Sequence, residues 1–230
     1  MNNKLRCLAS GSSGNCYLLT CGNETLVIEQ GIPFKEVKKA LDFNIRGIAG
    51  AITSHVHKDH SGYTHEYERA GIPVFKPFET DERHKLYGGF SISAFEVPHD
   101  PDIHCFGFYI RHRDLGKLLF LTDAMYCPLS FAKLNVNNIM VECNYADRLL
   151  KNDEEVGDFA HKVSGHLSLE TACEFIRVNA TMSLRNVFLM HLGAYSDPDV
   201  MVKEVKKIVD PDVTVDICKP GRQWELDSVF

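Results

Sequence analysis

Short apolar runs alternate with amphipathic stretches along the chain, and this alternation predicts a mixed α/β protein. Runs rich in valine, isoleucine, leucine and phenylalanine predict strands over residues 5–9, 16–20, 25–29, 50–54, 73–76, 91–98, 105–111, 117–122, 138–142, 186–190, 213–218 and 223–226. Apolar residues at helical spacing predict helices over 33–42, 146–162, 168–179 and 198–208. No break in composition divides the chain, so the sequence predicts one α/β domain over residues 1–230.

The composition of the chain and the length of its apolar runs indicate the class of protein to which this domain belongs. Hydrophobic residues make up 44% of the 230 positions and charged residues 24%, as in ordinary globular proteins. The apolar runs are too short to span a bilayer, and the N-terminus lacks a secretory signal pattern. We therefore expect a soluble, cytoplasmic protein with no membrane partner, in which most of the eight scattered cysteines are buried thiols.

The formal net charge of −6 argues mildly against a surface that attracts nucleic acid as a whole. A local basic groove remains compatible with this charge. Candidate bases for such a groove are Arg83, Lys85, Lys151 and Lys162. The sequence indicates no oligomeric state.

The densest chemistry lies in the stretch TSHVHKDHSG at residues 53–62, directly after an apolar run. On an extended segment His55 and His57 point to the same side and can bind one ion together. Asp59 and His60 follow a turn, point elsewhere, and can bind a second ion. This His-x-His-x-Asp-His order predicts a two-metal site, because isolated histidines in a polar loop rarely repeat at such spacing.

Three further ligands are expected at strand ends, where a rigid scaffold presents side chains precisely enough for metal binding. His99, Asp123 and His191 each follow an apolar run. Asp123 is the natural bridging ligand, since a carboxylate has two oxygens with which to bind two cations. One ion would then have His55, His57, His99 and Asp123 as ligands. The other would have Asp59, His60, His191 and Asp123.

This ligand pattern resembles the metallo-β-lactamase superfamily, which implies an α/β fold in the form of a four-layer αββα sandwich. Further segments are similar to the YycJ/WalJ-type subgroup, which lies near the nuclease branch of the superfamily and is associated with DNA exonuclease activity. They are LASGSSGN at 8–15, LVIEQG at 26–31, LTDAMY at 121–126, VECNYAD at 141–147 and GHLSLETA at 165–172. The resemblance also implies that Asp59 holds the nucleophilic water.

Glu29 departs from the family pattern, in which an aspartate usually ends the corresponding strand. The resemblance implies that this acid supports the metal-binding histidines. Glutamate is one methylene longer than aspartate but can still accept an imidazole N–H. In the turn SGSSGN, Ser12, Ser13 and Asn15 are candidates for contact with a substrate phosphate or for support of the metal ligands. An equally good interpretation is a plain hairpin turn.

His166 is the residue that favours a phosphodiester as the substrate. Neither predicted metal shell needs it, and a sugar alkoxide leaving group requires a proton from a general acid. Glu142, at the end of the strand over 138–142, would orient His166 and keep it protonated. The nuclease branch has a similar histidine with an upstream acid. A helix-capping or ion-paired histidine is the alternative interpretation of His166.

The predicted function is a dinuclear metal-dependent hydrolase, in which metal-activated water attacks a phosphodiester of DNA and His166 serves as general acid. Imidazole-rich ligand sets favour Zn²⁺, although Mn²⁺ or Fe²⁺ also suit such sites. The absence of a cysteine ligand argues against β-lactamase activity. Two alternatives stay open: a carbon-ester, thioester or lactone hydrolase using the same metal site, and a metal-binding module with little catalysis.

Overall fold

The computed structural model describes residues 3–146, 165–193 and 196–228. Its strands are β1 (Asn3–Ala9), β2 (Cys16–Cys21), β3 (Glu24–Ile28), β4 (Ile48–Ile52), β5 (Val74–Phe75), β6 (His84–Tyr87), β7 (Phe90–Val97), β8 (Cys105–His112), β9 (Gly116–Leu121), β10 (Asn138–Glu142), β11 (Asn186–Met190), β12 (Thr214–Ile217) and β13 (Gln223–Leu226). Its helices are α1 (Phe34–Ala40), α2 (Lys58–Ser61), α3 (Thr64–Arg69), α4 (Leu169–Asn179) and α5 (Pro198–Lys206). The strands form two sheets, of six and seven strands.

The described residues form two compact units. Among the described residues, the first contains 3–95, 108–116 and 219–228, and the second contains 96–107, 117–146, 165–193 and 196–218. The prediction of a single domain over 1–230 stays a prediction. No helix within the described ranges is long and apolar enough to cross a membrane.

The first unit contains the six-stranded sheet, in the order β13-β1-β2-β3-β4-β5. The pairs β1–β2 and β2–β3 are antiparallel, whereas the pairs β3–β4 and β4–β5 are parallel. Its apolar core joins the inner faces of β2, β3 and β4 to Phe34 and Val37 of α1 and Tyr67 of α3. This packing fixes the end of β4, from which the His-rich stretch leaves the sheet.

The second unit contains the parallel strands β9, β10, β11 and β12, with β10 between β9 and β11. β10 is buried along its whole length, as expected of a central parallel strand covered on both faces. α4 packs against β10, and α5 packs against β12. Because these strands are parallel, the residues that follow β9, β10 and β11 gather at one edge of the sheet.

Each of the twelve predicted strands overlaps a strand of the structure, and three of the four predicted helices are confirmed. The helix predicted over 146–162 lies outside the described residues, apart from Ala146. The starts of α4 and α5 follow from their caps, since Ser168 Oγ accepts from Thr171 N and Asp197 Oδ1 accepts from Val200 N.

The sequence prediction omits β6, α2 and α3. β6 is a short strand with exposed alternate residues in a charged stretch, so its apolar period is weak. α2 and α3 are separated by Gly62 and Tyr63. Each spans only one or two turns, which is too short for a helical period to be recognised in the sequence. Tertiary packing rather than local preference therefore stabilises both helices.

Candidate metal centre

The first ligand cluster lies after β4 in the first unit and comprises His55, His57, Asp59 and His60. The strand ends at Ile52 and residues 54–56 bend, so the extended segment predicted for His55 and His57 is wrong. The two side chains nevertheless meet, with His55 Nε2 3.0 Å from His57 Nδ1. α2 turns the chain back, and the rings of His55 and His60 lie 4.3 Å apart. That Asp59 and His60 bind a second ion stays a prediction.

Glu29 lies directly after β3 and is fully buried beside His60. Its Oε2 is 3.5 Å from His60 Nδ1, and its Oε1 accepts from the backbone N–H of Ser54 at 3.2 Å. The longer glutamate side chain thus reaches both the imidazole and the backbone that leads into the cluster. This geometry suits the orienting role that the resemblance implies for the acid at this position.

The turn at residues 10–15 packs against the same cluster. Asn15 is buried, and its amide nitrogen lies 3.2 Å from Asp59 O and 3.1 Å from His60 Nε2. The backbone N–H of Asn15 also donates to Asp59 O at 2.7 Å. Ser12 and Ser13 are exposed at the tip of the turn. Asn15 therefore supports the position of Asp59 and His60, while Ser12 and Ser13 can meet only what approaches from solvent.

Gly31, three residues after β3, allows the backbone at Asp59 to approach closely. A Cβ atom on Gly31 would lie 1.7 Å from Asp59 O, which is impossible without displacement of one backbone segment. We expect Gly31→Ala to lower the free energy of unfolding by about 3 kcal/mol, since the clash is with backbone and cannot be relieved by a rotamer change. Denaturant unfolding measures this loss.

The matched control is Gly47→Ala, whose added Cβ would lie 3.0 Å from the nearest atom, Asn23 O, a tight contact that a shift of a few tenths of an ångström relieves. This variant should lose less than about 1 kcal/mol. Equal destabilisation of the two variants would show that the close approach of Gly31 to Asp59 does not hold in solution.

The second ligand cluster lies in the second unit and comprises Asp123, Glu142, His166 and His191. Each offers one ligand atom, and these four atoms all lie within 4.8 Å of one another. The residues come from the ends of β9, β10 and β11 and from the segment before α4, in agreement with the parallel register of the strands. His191 Nδ1 lies 3.3 Å from Asp123 Oδ1.

Glu142 is the centre of the second cluster and is fully buried. Its Oε1 accepts from His166 Nδ1 at 2.6 Å and from His191 Nδ1 at 2.9 Å. Its Oε2 accepts from the backbone N–H of Leu167 at 3.1 Å. The contact with His166 was expected from the sequence, whereas the contact with His191 was not. One carboxylate thus contacts both the predicted general acid and a predicted metal ligand.

The charges of this group stabilise one another. Burial and the Asp123 carboxylate act to raise the pKa of Glu142, but hydrogen bonds from His166 and His191 outweigh them and the pKa is lowered. Burial acts to lower the pKa of His166, but the hydrogen bond and the charge of Glu142 outweigh it and the pKa is raised. Glu142 is therefore ionised, and His166 holds its proton more strongly than an ordinary histidine.

His99 lies in the second unit, after β7, and is buried. Its Nδ1 donates to the backbone carbonyl of Gly165 at 2.7 Å. A Cβ atom on Gly165 would lie 2.9 Å from the imidazole ring, so glycine at this position leaves room for His99. The hydrogen bond fixes the tautomer that presents Nε2.

Two predicted ligands share this arrangement. The Nδ1 atoms of His99 and His191 donate to the carbonyl of Gly165 and to Glu142, respectively. Each of these two rings is thereby oriented to present an unprotonated Nε2, the form in which histidine binds a metal. Imidazole nitrogens with carboxylate oxygens suit Zn²⁺, Mn²⁺ or Fe²⁺, so the donor set fits the predicted ions.

Three buried strand-end residues adopt the left-handed backbone conformation. The φ angles of Glu29, Asp123 and His191 are 65°, 46° and 52°. Such a conformation costs a residue other than glycine about 1–3 kcal/mol and persists only where the surroundings impose it. Its recurrence at the ends of β3, β9 and β11 indicates that these positions are selected for the direction of their side chains.

The residues that the sequence interpretation missed are those that hold the predicted ligands. Ser54 Oγ lies 2.9 Å from His55 Nδ1. The fully buried Gln30 donates to Ile52 O at 3.0 Å, and its backbone N–H donates to His60 O at 2.7 Å. Asn144 donates to His191 O at 3.1 Å. Gln30 and Ser54 each adjoin a predicted residue in sequence, which is the signal that could have identified them.

The candidate bases for a nucleic-acid groove gain little support. Arg83 donates to the carbonyls of Pro77 and Thr80, and Lys85 lies 2.5 Å from the carboxylate of Glu82. Both side chains are thus engaged by their own loop. Lys151 and Lys162 lie outside the described residues.

Comparison with known proteins identifies the fold. No family model matches the chain. An exodeoxyribonuclease named YycJ from Bacillus anthracis is 23% identical, over 81% of each chain. The metallo-β-lactamase fold protein YhfI from Bacillus subtilis covers 98% of this chain and 100% of its own, at 18% identity and a TM-score of 0.72. A diphosphatase from the PhnP family covers 99% of each chain, at 11% identity and a TM-score of 0.62.

The chain therefore has the metallo-β-lactamase fold, and the fold class predicted from the sequence is confirmed. The resemblance of the sequence to YycJ/WalJ-type proteins is confirmed as well. The predicted enzyme class agrees with these names, because exodeoxyribonucleases and diphosphatases are both hydrolases.

Proposed function

We propose that this metallo-β-lactamase-fold chain is a dinuclear metal-dependent phosphodiesterase that hydrolyses DNA from its ends. The seven ligands predicted from the sequence would hold the two ions, and the Asp123 carboxylate is the one that would serve both. The ligands are His55, His57, Asp59, His60, His99, Asp123 and His191. When bound, such ions lower the pKa of a water molecule and neutralise charge that develops on a phosphodiester.

His166 is the observation that supports a phosphodiester over a carbon ester. It is a histidine beyond the ligand set, and Glu142 holds it through its Nδ1 at 2.6 Å. In the protonated ring Nε2 then carries the transferable proton. The sugar oxygen that leaves from DNA is a basic alkoxide unless it is protonated. It requires this proton far more than the weakly basic leaving group of an activated ester does. The raised pKa of His166 means that the ring holds this proton more strongly than an ordinary histidine does.

The remaining residues act by positioning. Asp59 accepts a hydrogen bond from the attacking water and directs it at phosphorus. Glu142 orients His166 and stabilises its charge, while its second hydrogen bond orients His191. Glu29 and Asn15 hold His60 and Asp59 in place.

DNA as the substrate is supported by the exodeoxyribonuclease name of the sequence relative and by the phosphorus chemistry of the diphosphatase neighbour. A cytoplasmic location is consistent with cysteines that are all free thiols, six of them buried.

A substrate comparison tests this function. Zinc-loaded protein should hydrolyse bis-p-nitrophenyl phosphate and release nucleotides from linear duplex DNA, and should act poorly on p-nitrophenyl acetate and on thioesters. Rapid ester or thioester hydrolysis with inert phosphodiesters would favour a carbon-ester hydrolase. Metal-loaded protein that is inert on every substrate would favour a binding module.

A further inference from the structure

A cleft of about 740 Å³ opens beside His99 in the second unit. It is formed by the loop between β7 and β8 and by the residue two positions after Asp123. Its lining residues are those at 96–104 and Met125. The backbone N–H of Met125 donates to Pro98 O at 2.7 Å, which joins the two segments and fixes the shape of the cleft.

The walls of this cleft are largely apolar. Pro98, Ile103 and Met125 contribute hydrophobic surface, and 42% of Met125 is exposed. An apolar surface that includes a methionine suits a planar ring, since methionine packs favourably against aromatic systems. The volume is in the range of pockets that hold one small molecule and is sufficient for one nucleoside.

Three carboxylates, of Glu96, Asp100 and Asp102, also line the cleft. Glu96 lies 2.5 Å from His104 Nδ1, so that acid has a local partner. Asp100 and Asp102 form no ion pair with any other residue that the structure describes, and both line the cleft. Carboxylates can accept hydrogen bonds from the amino groups of bases, whereas they repel a phosphate.

We infer that this cleft binds the terminal nucleoside of a DNA strand whose outer end carries a hydroxyl group rather than a phosphate. The inference rests on the proposed function, in which His99 is a metal ligand, because a nucleoside in the cleft then adjoins the scissile phosphodiester. Met125 packs on the base, while Asp100 and Asp102 exclude any phosphate beyond it. Such exclusion confines hydrolysis to strand ends.

The chain provides a matched control for the two aspartates. The sequence Asp-Pro-Asp occurs at 100–102 and again at 210–212. In both copies the first aspartate accepts from the backbone N–H of the second, at 3.2 Å and 3.0 Å. The double variants D100N/D102N and D210N/D212N thus make the same chemical change in equivalent turns, and only the first lies in the cleft.

The experiment measures kcat/KM on duplexes that end in a hydroxyl or in a phosphate, at the 5′ and 3′ ends separately. At the attacked end, the kcat/KM of the wild-type protein should be about tenfold higher for the hydroxyl-ended duplex than for the phosphate-ended one. This is the size of repulsion expected between two nearby carboxylates and a phosphate when solvent and salt screen the charges. The D100N/D102N variant should lose this preference, and D210N/D212N should retain it. Met125→Ala should reduce the ratio of DNA to bis-p-nitrophenyl phosphate turnover about tenfold.

Equal or faster hydrolysis of the phosphate-ended duplex, or equal effects of the two double variants, would overturn the inference. Fluorescence anisotropy of labelled duplexes measures the same hydroxyl-to-phosphate ratio as a ratio of Kd values. If the wild-type protein hydrolyses neither DNA nor bis-p-nitrophenyl phosphate, the proposed function fails, and the anisotropy ratio alone decides whether the cleft selects the end.

Discussion

His166→Ala should reduce kcat on duplex DNA by about 10²–10⁴-fold while the protein retains its metal ions. The reason is that His166 donates the proton that a sugar alkoxide needs to leave. Bis-p-nitrophenyl phosphate releases a weakly basic phenolate, which needs little protonation, so its hydrolysis should fall much less. Steady-state kinetics on both substrates, together with the metal content of each variant, measure this difference.

The control for this prediction is His65→Ala, because His65 is an exposed histidine whose side chain lies outside both ligand clusters. This variant should hydrolyse both substrates at the wild-type rate. An equal loss on DNA and on bis-p-nitrophenyl phosphate in His166→Ala would contradict a general-acid role. Such a result would instead indicate a structural histidine.

Glu142→Gln should move the alkaline limb of the pH–rate profile to lower pH and reduce kcat on DNA roughly 10²-fold near pH 8. Because the hydrogen bond and charge of Glu142 raise the pKa of His166, the neutral amide lets that pKa fall. The protonated ring is the active form, so activity is lost as the pH rises through the pKa of His166. In the variant this loss begins at a lower pH.

The pH profile distinguishes this role from simple damage to the fold. A fold defect lowers kcat at every pH and leaves the shape of the profile unchanged. Lowering the pH should restore much of the activity of Glu142→Gln, whereas it should not restore His166→Ala. An unchanged alkaline limb in Glu142→Gln would refute the proposed effect of Glu142 on His166.

The sequence predicted the parts of this protein that local patterns encode. Apolar runs located the twelve predicted strands, and caps at Ser168 and Asp197 located two helix starts. The resemblance carried by the His-x-His-x-Asp-His stretch predicted the fold. Strand-end positions identified Asp123 and His191, which lie 3.3 Å apart in the second cluster. Parallel register is what makes strand ends a reliable guide.

The remaining features of the site depend on tertiary contacts, which local sequence patterns do not encode. The bend at 54–56 and the turn of α2 bring the ring of His60 to 4.3 Å from the ring of His55, a contact that no local pattern encodes. The second hydrogen bond of Glu142, to His191, depends on the neighbouring positions of β10 and β11 and has no local signal. The cleft beside His99 likewise depends on contact between two loops, which no spacing in the sequence encodes.

The most direct test of the central claim is the rate of bis-p-nitrophenyl phosphate hydrolysis as zinc is added to metal-free protein. If two ions act together, activity should rise until two equivalents of zinc are bound per chain and should then remain constant. The Asp123→Ala variant should be inactive at every zinc concentration. A plateau at one equivalent, or hydrolysis that does not depend on zinc, would contradict the dinuclear site.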